Sequence, residues 1–189
     1  MEEIDLSWTT NSEKVEMDCR IFKVRSVWRE AAENRKGQFT IIDSPDWVTI
    51  LPIVKNSRGN DCFLIVRQYR HGSASLTKEF PAGMIDPGET PLDAARRELN
   101  EETGYLAGKI TQIGSINPNP AFMNNTSYTY LAEDLTPGGK MNLDEHEMID
   151  MELVPIDMVA KEMGTAMYNS AITIQAWFWF LKHREKMSS

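Results

Sequence analysis

The amino-acid sequence predicts an α+β fold in which a mixed β-sheet lies between layers of helices (α/β/α). Three observations support this fold class. The first half of the chain is patterned for strands, one well-capped helix follows near residue 91, and further strands precede a closing helix. The 189 residues suit one domain with an extension, and 41% of them are apolar, which is enough to build a core.

Strand-like segments occupy the first half of the chain. Residues 1–44 form a predicted N-terminal β-rich extension, and the turn-forming residues that follow separate it from the main domain, residues 45–189. Strands are predicted at 20–28, 38–43, 47–54 and 62–69, with polar turns at 33–37 and 56–61.

The clearest predicted helix runs from Pro91 to Thr103. Thr90 is a good N-cap because its hydroxyl can accept a backbone N–H, Pro91 suits the first helical position, and Gly104 supplies a stop. Further along the chain, strands are predicted at 109–117, 127–133 and 148–155, a short helix at 156–163 and a final helix at 170–186. The aromatic residues of that final helix are expected to pack in the core.

Charge and cysteine content exclude several classes of function. The chain has 20 Lys+Arg and 28 Asp+Glu, so its net charge of -8 argues against broad electrostatic binding of nucleic acid. Cys19 and Cys62 form no C-x-x-C pair and suit reduced thiols. The start of the chain has no apolar signal region, and no stretch approaches the ~18 apolar residues of a membrane span. We therefore expect a soluble cytoplasmic protein that binds neither nucleic acid nor membrane.

Glu98, Glu101 and Glu102 place three carboxylates on one face of the predicted helix, because residues three and four apart are neighbours there. Like charges so close repel one another, and Arg97 balances only part of them. Hard oxygen ligands in such a group suit Mg²⁺ or Mn²⁺. A solvated acidic helix face is the alternative interpretation of the carboxylates alone.

A glycine-containing loop precedes the helix and favours the metal interpretation. Gly83 and Gly88 allow backbone conformations closed to other residues, so the loop can fold against the helix start. Loop and helix together match the pattern G-x5-E-x7-R-E-U-x-E-E-x-G-U at every fixed position, with U a bulky apolar residue and Tyr105 the last of them. The segment resembles the Nudix box. The resemblance implies the Nudix fold and hydrolysis of a nucleoside diphosphate linked to another moiety.

The flanking residues resemble those of the ADP-ribose and ADP-sugar pyrophosphatases within that family. The run R-Q-Y-R at 67–70 precedes E-F-P-A-G at 79–83, and Pro120 lies fifteen residues beyond Tyr105. The resemblance implies a nucleoside diphosphate sugar as substrate and a homodimer in which the N-terminal extension helps to build the partner's substrate site. The loop 117–125 is richer in Asn than is usual in this group, which leaves the identity of the sugar open.

The resemblance also assigns roles to individual residues. Ala82 would supply a backbone carbonyl to Mg²⁺, or to Mn²⁺ in its place, and Glu98, Glu101 and Glu102 would be the carboxylate ligands. Residues predicted to bind substrate are Arg70, on a phosphate, Glu79, and Phe39, stacked on the base. Trp28 and Trp47 are alternatives for the base, a surface position is the alternative for Arg70, and core packing is the alternative for each aromatic residue.

The general base is predicted in the acidic loop before a late strand. Glu147 directly precedes the apolar strand that begins at Met148, as the loop glutamate does in this group, and Glu145 is the alternative. A solvated acidic turn is the structural alternative. The predicted catalytic residues are therefore Glu147, Glu101 and Arg97.

The predicted reaction is Mg²⁺-dependent hydrolysis of the pyrophosphate bond of ADP-ribose or a related nucleoside diphosphate sugar. The products would be a nucleoside monophosphate and a sugar phosphate. One alternative is another diphosphate substrate, such as GDP-mannose or a dinucleoside polyphosphate. The other is a ligand-sensing Nudix domain without catalysis.

Overall fold

The computed structural model of the chain describes residues 5–143 and 148–188. These residues form two compact units. The first contains the residues up to Pro45 together with Asn117–Thr126, and the second contains Asp46–Ile116 and the residues from Ser127 onward. The chain therefore leaves the first unit, builds much of the second, and returns to the first for one short segment.

The first unit contains a three-stranded antiparallel sheet in the order β1-β2-β3, formed by Trp8–Asp18, Lys23–Ala31 and Arg35–Asp43. The predicted antiparallel N-terminal extension is confirmed. Strand β1 was not predicted, because all eleven of its residues are exposed and only Trp8, Val15 and Met17 among them are apolar. The turn before β3 is tighter than predicted, since Glu33 and Asn34 both take positive φ angles, of 60° and 57°.

The segment Asn117–Thr126 is attached to β3. The backbone N–H of Ile42 donates to the carbonyl of Phe122 at 2.7 Å. The side-chain amide of Asn124 donates to Asp43 Oδ1 at 2.6 Å. Asn124, one of the asparagines that distinguish this loop, thus holds it on the sheet of its own unit.

The second unit contains a seven-stranded mixed sheet. The strand order is β10-β5-β4-β9-β8, with β6 paired to β5 and β7 paired to β4. Strands β4 and β9 run parallel, and the other pairs are antiparallel. The strands are β4 Trp47–Lys55, β5 Asp61–Arg70, β6 Ser75–Glu79, β7 Ala82–Met84, β8 Tyr105–Ile116, β9 Ser127–Pro137 and β10 Ile149–Pro155.

Helices cover both faces of this sheet. Helix α1 (Pro91–Thr103) packs Ala95 and Leu99 against Ile50 on one face. Helices α2 (Ile156–Glu162) and α3 (Ala171–Ser188) pack against the other face, where Phe63 and Phe180 lie in the core. Burying one such large side chain stabilises the fold by roughly 1.5–3 kcal/mol. The predicted α/β/α layering is confirmed.

Two short strands of the second unit were missed, and the start of a third differs from its prediction. Strands β6 and β7 were not predicted, because they are short and Pro81 stands between them. Strand β8 begins at Tyr105 and not at residue 109, and it runs through Gly108. A Cβ at Gly108 would lie 3.0 Å from the Cβ of Asp134 on β9, so glycine permits a close strand contact here and does not end the strand.

Candidate active site

Helix α1 has the ends that its sequence predicts. The hydroxyl of Thr90 accepts the backbone N–H of Asp93 at 3.2 Å, which satisfies one N–H of the first turn. At the other end Gly104 has φ 70° and donates its N–H to the carbonyl of Asn100 at 2.8 Å. A Cβ at Gly104 would lie 2.8 Å from the carbonyl oxygen of Gly139, so no other residue is accommodated easily. These ends give α1 the bounds that the sequence predicts.

Strand β7 brings the glycine-containing loop to the acidic face of α1. The backbone N–H of Ala82 donates to Glu102 Oε2 at 3.1 Å, and Glu102 is only 3% exposed. A Cβ at Gly83 would overlap the carboxylate of Glu98. Glycine is therefore required at position 83 if Glu98 is to lie against the backbone of β7. The carboxylates of Glu98 and Glu102 thus lie against Gly83 and Ala82, which are adjacent residues of β7.

Arg97 links the loop to the helix by hydrogen bonds to five oxygen atoms on four residues. Its Nε and Nη2 bond to the two carboxylate oxygens of Glu89 at 3.0 and 2.9 Å, and Nη2 also donates to the carbonyl of Met84 at 2.9 Å. Its Nη1 donates to Glu98 at 2.7 Å and to Glu101 at 3.0 Å. Hydrogen bonds from Arg97 hold the pKa of the Glu89 carboxyl below its usual value despite partial burial. One guanidinium therefore bonds to the carboxylates of Glu89, Glu98 and Glu101 and reduces the repulsion among them.

The donor set fits a hard divalent cation. Glu98, Glu101 and Glu102 supply carboxylate oxygens, the ligand type that Mg²⁺ and Mn²⁺ prefer. In residues 5–143 and 148–188, no three carboxylate, thiol or imidazole groups are gathered closely enough to form a metal site as they stand. In this arrangement Glu98 and Glu101 take Arg97 as their counter-charge, and Glu102 takes the N–H of Ala82.

A second cluster lies on β5 and β6. Arg70 donates from Nε to Glu79 Oε1 at 3.0 Å and from Nη2 to Glu79 Oε2 at 2.8 Å. Glu79 is 4% exposed, and Thr77 donates its hydroxyl to Glu79 Oε1 at 2.6 Å. Burial raises the pKa of the Glu79 carboxyl, but the hydrogen bonds and charge of Arg70 and the hydroxyl of Thr77 outweigh burial, so its pKa lies below the usual value. Sequence reasoning missed Thr77, although its spacing of two from Glu79 on a strand places both on one face.

Comparison with known proteins places this chain in a family. The family model described as NUDIX domain matches residues 46–173. The chain belongs to the Nudix family. The predicted family is thereby confirmed.

This Nudix hydrolase is similar to bacterial proteins that are named as hydrolases of ADP-containing compounds. The chain is 32% identical to the ADP-ribose pyrophosphatase of Bacillus subtilis (strain 168) over 143 residues, which are 74% of this chain and 75% of that protein. It is 29% identical to the ADP compounds hydrolase NudE of Escherichia coli (strain K12) over 161 residues, 84% of this chain and 83% of that protein. A structure described as the crystal structure of ADP compounds hydrolase matches with a TM-score of 0.82 and 26% identity, covering 95% of each chain.

The aromatic residues predicted to stack on a base lie in different places. Phe39 and Trp28 belong to the first unit of this Nudix hydrolase, whereas Trp47 begins β4 in the second. The Phe39 ring stands edge-to-face against Trp8 at 5.2 Å between centroids, and the guanidinium of Arg29 lies 6.0 Å from its centroid. Phe39 is 37% exposed, so part of its ring is accessible.

The predicted general base, Glu147, and its alternative, Glu145, lie outside the described residues. The residues before them are tied to α1, because the backbone N–H of Asn142 donates to the carbonyl of Glu101 at 2.9 Å. The described chain resumes at Met148, directly before β10.

The helices of residues 5–143 and 148–188 include none with the length and apolar character needed to span a membrane.

Proposed function

We propose that this Nudix hydrolase cleaves the pyrophosphate bond of ADP-ribose or a related nucleoside diphosphate sugar, giving a nucleoside monophosphate and a sugar phosphate. The proposal rests on one observation: the carboxylates of Glu98 and Glu102 both lie against the backbone of β7. Arg97 holds Glu101 to the same group. The names of the bacterial relatives support an ADP-containing substrate.

A divalent cation completes the proposed site. Glu98, Glu101 and Glu102 would hold Mg²⁺, or Mn²⁺ in its place, together with the carbonyl of Ala82. When bound, the cation neutralises phosphate charge and makes water a better nucleophile at neutral pH. The net charge of -8 is then no obstacle to a diphosphate, because the positive charge is supplied locally.

The protein's own side chains have three further tasks in the proposed reaction. Arg70 binds a phosphate of the substrate, and Glu79 holds its guanidinium by two hydrogen bonds. Arg97 keeps Glu98 and Glu101 on the side of α1 that faces the loop. Glu147 takes the proton of the attacking water, and Glu145 is the alternative for this task.

A product assay in ¹⁸O-labelled water tests the proposal. The protein with Mg²⁺ would be given ADP-ribose, ADP-glucose, GDP-mannose and a diadenosine polyphosphate in separate reactions, and the products identified by mass spectrometry. We expect AMP and ribose 5-phosphate from ADP-ribose, with one ¹⁸O on the phosphate that water attacked. Added EDTA is the matched control. Intact ADP-ribose alongside efficient cleavage of GDP-mannose would contradict the proposal.

A broader range of ADP-containing substrates is the second candidate. It is favoured by the relative from Escherichia coli, which is described as an ADP compounds hydrolase and aligns with 84% of this chain. The same panel distinguishes the candidates. Similar kcat/KM values for ADP-ribose and the diadenosine polyphosphate would favour the broader range, and a preference for ADP-ribose of tenfold or more, about 1.4 kcal/mol, would favour the narrower one.

A further inference from the structure

Arg70 on β5 and its ion-pair partner Glu79 on β6 do not lie directly opposite each other in the sheet. In the pairing of β5 with β6, Arg70 lies opposite Ser75, whereas Glu79 lies opposite Val66. Thr77 stands midway between Ser75 and Glu79 on the same strand, so its side chain shares their face of the sheet. The long side chain of Arg70 therefore passes over the position of Thr77 to reach Glu79.

The hydroxyl of Thr77 is buried beneath this ion pair. Thr77 is 3% exposed and donates to Glu79 Oε1 at 2.6 Å, while the carbonyl of Gln68 is farther away at 3.4 Å. A hydroxyl has one hydrogen to donate, and the shorter contact, to a charged acceptor, is the stronger one. The same Oε1 also accepts the Nε–H of Arg70 at 3.0 Å. Thr77 and Arg70 thus fix one carboxylate oxygen from two sides.

Strand β6 itself is held on both sides. Strand β5 pairs with one side, and on the other the backbone N–H of Lys78 donates to the carbonyl of Met167 at 2.8 Å. The ammonium of Lys78 also forms an ion pair with Glu152, with 2.7 Å between Nζ and Oε1, and lies 5.8 Å from the ring centroid of the buried Tyr168. The backbone that carries Thr77 is therefore anchored, and its hydroxyl is a fixed reference point.

We propose that Thr77 is a positioning residue for substrate binding: its hydroxyl fixes the carboxylate of Glu79, and Glu79 holds the guanidinium of Arg70 in the orientation that binds the substrate's diphosphate. This inference rests on the proposed function, because it takes Arg70 to contact a phosphate. Thr77 acts through Glu79 and Arg70 and does not contact the substrate itself. Its removal affects substrate binding more than the chemical step.

Steady-state hydrolysis of ADP-ribose with Mg²⁺ by Thr77→Val tests the inference, because valine keeps the shape and β-branching of threonine and lacks the hydroxyl. We expect KM to rise about fivefold to fiftyfold, since a hydrogen bond to a charged group is lost and Arg70 is misplaced. The change in kcat should be small, as for a loss of uniform binding. Thr77→Ser keeps the hydroxyl and should restore the wild-type KM.

Thr111→Val is the matched control, because Thr111 lies half-buried on β8, away from this cluster. It should have the wild-type KM. Arg70→Gln should raise KM at least as much as Thr77→Val does. In the double variant Arg70→Gln/Thr77→Val, the valine should add nothing further, because the two side chains act as one unit.

The outcomes separate the inference from the proposed function. An unchanged KM in Arg70→Gln would remove Arg70 from the proposed function, and the inference would fail with it. A raised KM in Arg70→Gln with a wild-type KM in Thr77→Val would overturn the inference alone. If Thr77→Val does not fold, Thr77→Ser decides: a folded serine variant with a KM as high as that of Arg70→Gln would overturn the role of the hydroxyl.

Discussion

Among single residues, Glu102 is deeply buried and accepts a hydrogen bond from β7. For turnover, the negative charge of its side chain should matter more than the shape of that side chain. In Glu102→Gln the amide oxygen can still accept the N–H of Ala82, so the fold should persist. The lost negative charge weakens cation binding, and removing one such electrostatic group commonly costs ~2.7–4 kcal/mol of transition-state stabilisation. We expect kcat at saturating Mg²⁺ to fall about 10²–10³-fold with an unchanged circular dichroism spectrum.

Glu185→Gln is the control for this variant. Glu185 is exposed and pairs with Lys182 on α3, so its loss should leave kcat unchanged. Near wild-type turnover by Glu102→Gln would show that Glu102 is not a metal ligand.

Glu147 should affect kcat far more than substrate binding. Removing a general base typically costs about 10²–10⁴-fold in rate, whereas removing a solvated surface acid costs almost nothing. We expect Glu147→Gln to lower kcat at least about tenfold with little change in KM, and Glu145→Gln to do much less. The reverse order would make Glu145 the base. Full activity in both variants would mean that a glutamate of α1 takes the proton of the attacking water, and Glu101 would be the first candidate.

Glu79 should make stability depend on pH in one direction. Because its folded pKa lies below the ordinary 4.5, its contribution to stability is fully present above that pH and is lost as pH falls through the lower folded pKa. Thermal melts of wild type and Glu79→Gln between pH 3 and 7 measure this effect. The difference in Tm should be largest near neutrality and should shrink on acidification. A difference in Tm that grows toward low pH would contradict the lowered pKa of Glu79.

At the scale of elements, α1 depends on its first turn. Thr90→Ala removes the N-cap and should cost about 1 kcal/mol of unfolding free energy, which lowers Tm by roughly 2–4 °C in a chain of this size. Thr90→Ser keeps the capping oxygen and should melt close to wild type. Differential scanning calorimetry measures both variants. Equal melting of the alanine and wild-type proteins would show that Asp93 N–H is satisfied by water.

The elements also show how far the sequence determines this site. Helix α1 was predicted with its observed bounds, because Thr90, Pro91 and Gly104 act locally and leave a sequence signal. The bond from Arg97 to the carbonyl of Met84 was not predicted, because any residue type offers the same carbonyl. Strands β6 and β7 were missed for a related reason. They are short, and they exist through pairing with β5 and β4, which only the folded chain brings beside them.

At the scale of the whole molecule, the first unit exposes several large apolar side chains. Trp8, Val15, Met17 and Trp28 are between 41% and 60% exposed. A second copy of the chain would cover such side chains, so we expect a homodimer. Multi-angle light scattering at micromolar concentration should give the mass of two chains. A monomer with full activity would rule out the dimer.

The return of Asn117–Thr126 to the first unit has a consequence for the order in which the protein can be completed during synthesis. The ribosome finishes β1 to β3 early, but the segment that bonds to Ile42 and Asp43 is made only after β4 to β8. At about 5–20 residues per second, the N-terminal sheet waits several seconds for its last partner. During that interval the end of β3 lacks the segment that later bonds to Ile42 and Asp43.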